Sequence, residues 1–258
     1  MTPSIPLLPT LLAGRTALVT GAGQGNGRTI AEGLARAGAT VVVTDMNEQN
    51  AMSVAEGIRS AGGNASAYRL DVTSSDECRA LAAVTADQVG RIDILINNAG
   101  IIIRENTGSE RAEANWKRTI DVNVHGTFNA TMAWLQDIKQ ASGSIVNIAS
   151  IASFVGQAAS LGYSPSKGAI KMLTQSLASE LASSGVRVNA LAPGVIETPM
   201  TAATRDDPKR LETFMARIPM ERVGQPEDLV GPVLFLVSDL SRYVTGVTLP
   251  VDGGFLAV

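Results

Sequence analysis

Ala17-Leu18-Val19-Thr20-Gly21-Ala22-Gly23-Gln24-Gly25-Asn26-Gly27 is a short apolar strand running into a glycine-rich turn. Behind it Ile30, Ala31, Leu34 and Ala35 recur at helical spacing, and Gly38 closes the helix. Strand, glycine turn and helix in this order let backbone N–H groups approach a pyrophosphate, and the helix N-terminus adds partial positive charge. Gly21, Gly25, Gln24, Asn26 and Gly27 are therefore candidate cofactor residues. The glycine spacing is not the common G-x-G-x-x-G, although Gly21 and Gly23 can stand at its start. No Gly-Lys-Ser/Thr follows, so a lysine-bearing phosphate loop is excluded. The competing reading is a tight strand-to-helix turn that binds nothing.

Working outward, the same alternation repeats. Residues 41–44 read as a second strand ending at Asp45, about 20 positions after the turn, where a carboxylate can accept hydrogen bonds from adenosine ribose hydroxyls. It would repel a 2′-phosphate, and Met46, Asn47 and Glu48 supply no cation, so NAD is favoured over NADP. Asp45 could also cap the helix that follows. A strand at 65–70 leads to Asp71-Val72 and a helix over 75–89. A strand at 92–96 ends in Asn97-Asn98-Ala99-Gly100. One long helix is expected over 111–140, with Trp116, Ile120, Val124 and Phe128 as its apolar stripe and Asn123 and Gly126 interrupting it. A strand at 144–148 ends at Ser150, and a loop leads to a helix from Tyr163 to about 183. The last strands are expected at 186–191 and 246–251, with a helix over 226–236 between them. Alternating strands and helices with short connections mean an α/β, doubly wound parallel sheet of about seven strands with helices on both faces. Residues 195–225 are irregular, long for a connection, and read as a substrate lid. Residues 1–13 read as a docked N-terminal arm, and 1–258 as a single domain without repeats or linkers.

With 258 residues, 45% hydrophobic and 17% charged, the chain can bury a large core. A net charge of −3 without a basic cluster disfavours nucleic acid and anionic membranes as partners. No apolar run reaches membrane-spanning length. The one cysteine, Cys78, excludes an intrachain disulfide, and one histidine, His125, excludes a His-rich metal site. A reducing cytoplasm fits this usage. Cys78 carries no evident chemistry, and His125 and Trp116 are assigned to core or interface.

Tyr163 and Lys167 stand four apart at the head of a helix, one turn apart on one face. An ammonium beside a phenol favours the phenolate and lowers the tyrosine pKa, giving a general acid/base nearer neutral pH. In chain order the sequence carries Thr20-Gly-x-x-x-Gly25-x-Gly27, Asn97-Asn98-Ala99-Gly100, Ser150 thirteen positions before Tyr163, Tyr163-x-x-x-Lys167, Pro193-Gly194 and Val251-Asp252-Gly253-Gly254. By these motifs it resembles the short-chain dehydrogenase/reductase family from about Gly14 to Gly254. The resemblance implies a Rossmann-like fold and reversible hydride transfer between nicotinamide and a carbon bearing a hydroxyl or carbonyl. It implies that Tyr163 moves the alcohol proton, that Lys167 lowers the Tyr163 pKa and reaches the nicotinamide ribose, and that Ser150 donates to the substrate oxygen. Asn123 would hold a water of the proton relay. Asp71 and Val72 would flank adenine, Asn98, Ala99 and Gly100 would line the crevice, and Pro193, Gly194, Ile196 and Thr198 would lie beside the nicotinamide. Two positions depart from the pattern. Asn26 replaces a usual Ile or Leu, and Pro165 replaces a usual small residue, which a first helical turn tolerates.

Substrate walls are expected from residues 152–161, the turn after Gly100 and the lid after Thr198. Ala152 leaves room, while Arg104, Gln157 and Glu197 are polar candidates, Arg104 for a carboxylate. The stretch Asn98-Ala-Gly-Ile-x-x-Arg104 resembles family members acting on gluconate and polyols, so the expected substrate is a polyol, sugar or sugar acid. The alternatives are a 3-oxoacyl thioester reductase, against which Asp45 and Gln24 count, and a non-catalytic NAD-binding protein. The family also implies a homotetramer built on the two long helices and the last strand.

Overall fold

In the computed structural model, residues 9–258 are described. Seven strands form one parallel sheet in the order β3-β2-β1-β4-β5-β6-β7. They are β1 Thr16–Val19, β2 Thr40–Asp45, β3 Asn64–Arg69, β4 Ile94–Asn97, β5 Ser144–Ile148, β6 Arg187–Pro193 and β7 Thr248–Val251. The central strands are apolar on both faces because helices cover both. Ala17, Val19, Val41 and Val43 point into one layer with Ile30, Leu34, Val54 and Val233. Leu18 and Val42 point into the other, with Leu81, Trp134, Ile138 and Leu177. The strand order reverses between β1 and β4, which opens a crevice at the carboxyl ends of the strands.

The first layer is closed by α1 Gly25–Arg36, α2 Glu48–Ser60 and α9 Val230–Val237, the second by α3 Ser75–Gln88, α5 Gly126–Ala141 and α6 Tyr163–Leu181. The predicted helix over 226–236 is a 3-10 turn, Pro226–Leu229, that continues into α9. Residues 195–225 are not structureless: they hold α7 Ala202–Arg205 and α8 Pro208–Met215, the latter capped by Asp207. Residues 1–8 of the expected arm lie outside the described residues. Its end is docked, with Leu12 buried and its N–H donating to the Ala37 carbonyl at 2.8 Å. No described helix is long and apolar enough to cross a membrane.

The long helix over 111–140 needs two corrections. It is α4 Ala112–Ile120, a π-turn Asp121–His125 and then α5. The Gly126 N–H reaches back five residues to the Asp121 carbonyl and makes that turn. Its apolar stripe also faces outward: Trp116 is 44% and Phe128 48% exposed. The buried face carries Thr119, Asn123, Thr127, Thr131 and Trp134. These polar groups are buried because each meets a partner, as Asn97 Nδ2 donating to Thr131 Oγ1 at 3.0 Å and Trp134 Nε1 to Thr85 Oγ1 at 3.0 Å. A hydropathy pattern cannot see such pairs. Trp116 is thus no core residue, and His125 is exposed as well.

Candidate active site and cofactor cleft

A cleft of about 900 Å³ follows the carboxyl ends of β1 to β4 and β6. Gly21, with φ of +60°, starts the turn at its floor, and a Cβ there would lie 2.8 Å from Ala99 Cα. A Cβ on Gly27 would collide with Asn98 Nδ2 and the Gly21 carbonyl. Only bare backbone permits this packing. Gln24 precedes α1 without a side-chain cap, and no acidic residue occupies the first turn. The N-terminal N–H groups of α1 therefore face the cleft uncompensated, a site suited to an anion.

Asp45 ends β2 at the same rim. Its Oδ2 accepts from the Gly23 N–H and its Oδ1 from the Asn47 N–H, both at 2.9 Å. Asn47, not Asp45, caps α2. Asp71 lines the cleft with Oδ1 accepting from the Thr73 hydroxyl at 2.7 Å, and Val72 stands beside it. Asn98 is chiefly a fastener: its Nδ2 donates to the Thr20 and Gly21 carbonyls, both at 2.9 Å. The Thr20 hydroxyl accepts from the Asn98 and Ala99 N–H groups. Ala99 and Gly100 continue the wall, and Thr198 closes it from the β6 side. Pro193 ends β6, and the Gly194 N–H bonds the Val251 carbonyl at 3.0 Å. The Ile196 side chain lies in the core, so only its backbone can face a ligand.

Asn123 and Lys167 lie behind the cleft wall at Gly100, where a Cβ would come within 3.2 Å of Asn123 Oδ1 and 3.6 Å of Lys167 Nζ, and Ser150 and Tyr163 are grouped with them. Tyr163 is the first residue of α6, and the Ser150 hydroxyl is among the groups that act on its phenol. Lys167 is buried, with Nζ donating to the Ile148 carbonyl at 2.7 Å and lying 5.7 Å from the Tyr163 ring centroid. The expected depression of the Tyr163 pKa is not what this geometry gives. Desolvation raises it above its ordinary value, and the neighbouring Ser150 hydroxyl and the Arg104 charge oppose that only in part. Burial also lowers the Lys167 amine to about 8. Its one hydrogen bond goes to a carbonyl rather than to the phenol, which explains the difference. Asn123 is locked by its side chain: Oδ1 accepts from the Ile101 N–H at 2.8 Å, and Nδ2 donates to the Ser166 hydroxyl at 3.0 Å. Ser166 in turn donates to the Tyr163 carbonyl at 2.7 Å, a link between the π-turn and α6 that sequence motifs did not reveal.

Of the substrate candidates, Arg104 is half-buried and donates from Nη2 to Thr204 Oγ1 at 2.8 Å, tying the loop after β4 to α7. That loop pairs with the one carrying Gln157, the Glu105 N–H donating to the Ala159 carbonyl at 3.0 Å. Ala152 is buried and offers its N–H to Ser150 Oγ at 3.1 Å, so its contribution is backbone. Glu197 is drawn to Arg205, 3.1 Å away, and to Gln225. The outer wall of the cleft comes from residues no motif marked: Lys117, Arg118, Asp121 and His125, whose Nδ1 lies 3.1 Å from Asp121 Oδ1. The burial of Cys78 pushes its thiol up to about 11, away from reactivity. Among the described residues no cluster of three or more His, Cys, Asp or Glu could hold a metal ion.

Comparison with known proteins places this geometry. The family model described as enoyl-(acyl carrier protein) reductase matches residues 21–256. The chain is 41% identical to 2-dehydro-3-deoxy-D-gluconate 5-dehydrogenase of Bacillus subtilis, over 95% of this chain and 96% of that one. It is 39% identical to a 3-oxoacyl-(acyl-carrier-protein) reductase of Thermotoga maritima, over 95% and 99%. A gluconate 5-dehydrogenase of Burkholderia cenocepacia, solved with NADP and tartrate, superposes with a TM-score of 0.93 at 37% identity, covering 98% of this chain and all of that one.

Proposed function

The chain belongs to the short-chain dehydrogenase/reductase family, oxidoreductases acting on CH–OH groups, and from that premise we propose that it interconverts a secondary hydroxyl of a sugar acid, sugar or polyol and the matching ketone, using NAD. The observation that carries the sugar-acid reading is Arg104. The half-buried Arg104 guanidinium stands on the loop after β4 and its charge is felt at the Tyr163 phenol, so it offers a carboxylate a partner on the side of the proton-transfer group. The Bacillus and Burkholderia relatives are named for gluconate-type acids, which supports the same class.

Bound NAD supplies the hydride acceptor; the chain supplies the rest. Gly21, Gln24, Gly25, Asn26 and Gly27 cradle the pyrophosphate with their backbone, and Asp45 takes the adenosine ribose. Asp71 and Val72 flank the adenine. Asn98, Ala99 and Gly100 line one side of the cleft, and Pro193, Gly194, Ile196 and Thr198 the nicotinamide side. Tyr163 holds or releases the proton at its phenol oxygen, Ser150 steadies the substrate oxygen, and Lys167 provides the neighbouring charge and reaches the nicotinamide ribose. Asn123 shapes the π-turn beside them. The segment 195–225 closes over the substrate. The Burkholderia relative is solved with NADP, but here the Asp45 carboxylate would face a 2′-phosphate with no cation in Met46, Asn47 or Glu48. NAD is therefore the preferred cofactor.

Following reduced-cofactor absorbance with aldonates, neutral polyols and a 3-oxoacyl thioester tests the reading. Turnover is expected on the acids, at least about tenfold better with NAD than NADP. Arg104→Met is expected to lower kcat/KM on acids about 10²-fold, the worth of a charge-assisted pair, and on neutral polyols much less. A strong NADP preference, or faster turnover of the thioester, would favour the reductase reading suggested by the Thermotoga relative. The outward stripe Trp116 and Phe128, with Met132 on α5 and Met172 on α6 also exposed, suits self-association. A light-scattering mass of four chains is expected, and a monomer would refute the homotetramer. The enzyme is assigned to the cytoplasm, consistent with its single buried thiol.

A further inference from the structure

Arg104 differs from the arginines of the segment that faces it. Arg205 pairs with Glu197 at 3.1 Å and Arg210 with Asp207 at 3.2 Å, whereas among the described residues no carboxylate pairs with Arg104. Its guanidinium donates instead to a neutral group, the Thr204 hydroxyl, at 2.8 Å. Thr204 is only 3% exposed, while Arg104 is half-buried and so still open to a ligand. We propose that Thr204 is a positioning residue of the substrate site: its hydroxyl holds the Arg104 guanidinium in place and leaves its charge for the carboxylate of a sugar acid. This deepens the sugar-acid reading and rests on it.

The bond joins the two sides of the reaction centre. On one side, Glu105 follows Arg104, donates its N–H to the Ala159 carbonyl at 3.0 Å and bridges to Ser160, three residues before Tyr163. On the other, Thr198, Pro199 and Met200 line the cofactor cleft, and α7 with Thr204 begins two residues later. A helix of four residues does not hold its own shape. Here α7 is pinned from outside, Arg205 donating to the Thr198 carbonyl at 3.3 Å as well as pairing with Glu197. The Thr204 oxygen is therefore a fixed point. Its chemistry also suits the task. An aspartate there would neutralise Arg104 and compete with the substrate, and an apolar residue would leave a long side chain to be ordered when substrate binds. A hydroxyl takes one N–H of the guanidinium and leaves the others for a carboxylate. Burial and the Arg210 charge both act against the protonated Arg104, and an incoming anion offsets both.

The test is a double-mutant cycle on the aldonate that the wild type turns over fastest. Thr204→Val is expected to raise KM about tenfold and to leave kcat and the NAD dissociation constant within about twofold. In an Arg104→Met background the same substitution should change kcat/KM less than about twofold, because nothing remains to be positioned. Thr204→Ser restores the hydroxyl and should lie within about threefold of the wild type. A residue that merely supports the fold of α7 would cost as much in both backgrounds. That result, an unchanged KM in Thr204→Val, or a Thr204→Ser as impaired as Thr204→Val would overturn the proposal. If Thr204→Val does not fold, Thr204→Ala removes the hydroxyl with less bulk and is read in the same cycle. A wild type that turns over no aldonate, or an Arg104→Met variant with undiminished aldonate turnover, would refute the sugar-acid reading itself. Loss in Arg104→Met with an additive Thr204→Val would refute the role of Thr204 alone.

Discussion

Replacing Tyr163 by Phe is expected to lower kcat about 10³-fold, within the range that a positioned general acid/base contributes, while the dissociation constant for NADH changes less than about threefold. The ring remains to fill its place at the head of α6, and what is lost is the phenol oxygen. Alcohol oxidation needs the phenolate to accept the proton, and burial holds the Tyr163 pKa above its ordinary value of 10.0 in the free protein. The phenolate fraction therefore grows with pH throughout the accessible range. For the wild type, kcat/KM for oxidation should climb steadily from pH 6 to 9, and Tyr163→Phe should lose that climb. Reduction draws on the protonated phenol and should not show it. A flat wild-type oxidation profile, or a Phe variant with undiminished turnover, would remove Tyr163 from the chemistry.

That pH dependence departs from what the Tyr163–Lys167 spacing alone suggests, and the reason is physical. Spacing places two side chains on one face but says nothing of their desolvation. Here Lys167 is buried and Tyr163 half-buried, and desolvation moves each pKa against its charged form. The same limit recurs elsewhere. The glycine turn, Asp45 and the order of strands were legible because each is a local requirement: bare backbone at Gly21 and Gly27, a carboxylate at a strand end, apolar runs covered on both faces. Asn98 was legible as a cleft residue, but its fastening of Thr20 and Gly21 crosses from β4 to β1 and needs the register of the sheet. The outward face of α4 and α5 was misassigned because the buried face carries satisfied polar groups, Thr119 and Thr127 bonded to carbonyls one turn back and Asn123 and Thr131 to the distant Ser166 and Asn97, which a hydropathy period does not record. Lys117, Arg118 and His125 escaped because a π-turn shifts their phase relative to a regular helix. In the glycine turn, the orphaned oxygen of Asn26 was visible in sequence only as a departure from a pattern; its lack of a partner required coordinates.

Lys167 offers a second large effect, read in stability as well as rate. Lys167→Met should lower kcat about 10²-fold or more, since the buried amine is the nearest charge on the catalytic helix. Its effect on folding should depend on pH. The unfolded chain keeps this proton to about the ordinary value of 10.5, whereas burial makes the folded chain release it near 8. Between those values the unfolded state binds the proton that the native state does not, so raising the pH through this window favours the native wild type. The shift corresponds to about 3 kcal/mol. Below pH 8 the wild type bears the full cost of a buried ammonium, partly offset by its hydrogen bond to the Ile148 carbonyl. Methionine avoids the charge but leaves that carbonyl without its donor, a cost of about 1–3 kcal/mol. The two terms oppose each other, so the proteins should be close in stability at pH 7. By pH 10.5 the wild type should have gained about 3 kcal/mol on the variant, because only the wild type carries the titrating amine. Urea unfolding of both proteins at pH 7, 8, 9 and 10.5 measures the difference directly, and common effects of pH on the rest of the chain cancel in it. A difference that stays constant across that range would mean that Lys167 keeps an ordinary pKa in the native state. The amine would then be hydrated rather than buried, and desolvation would not set the protonation of Lys167.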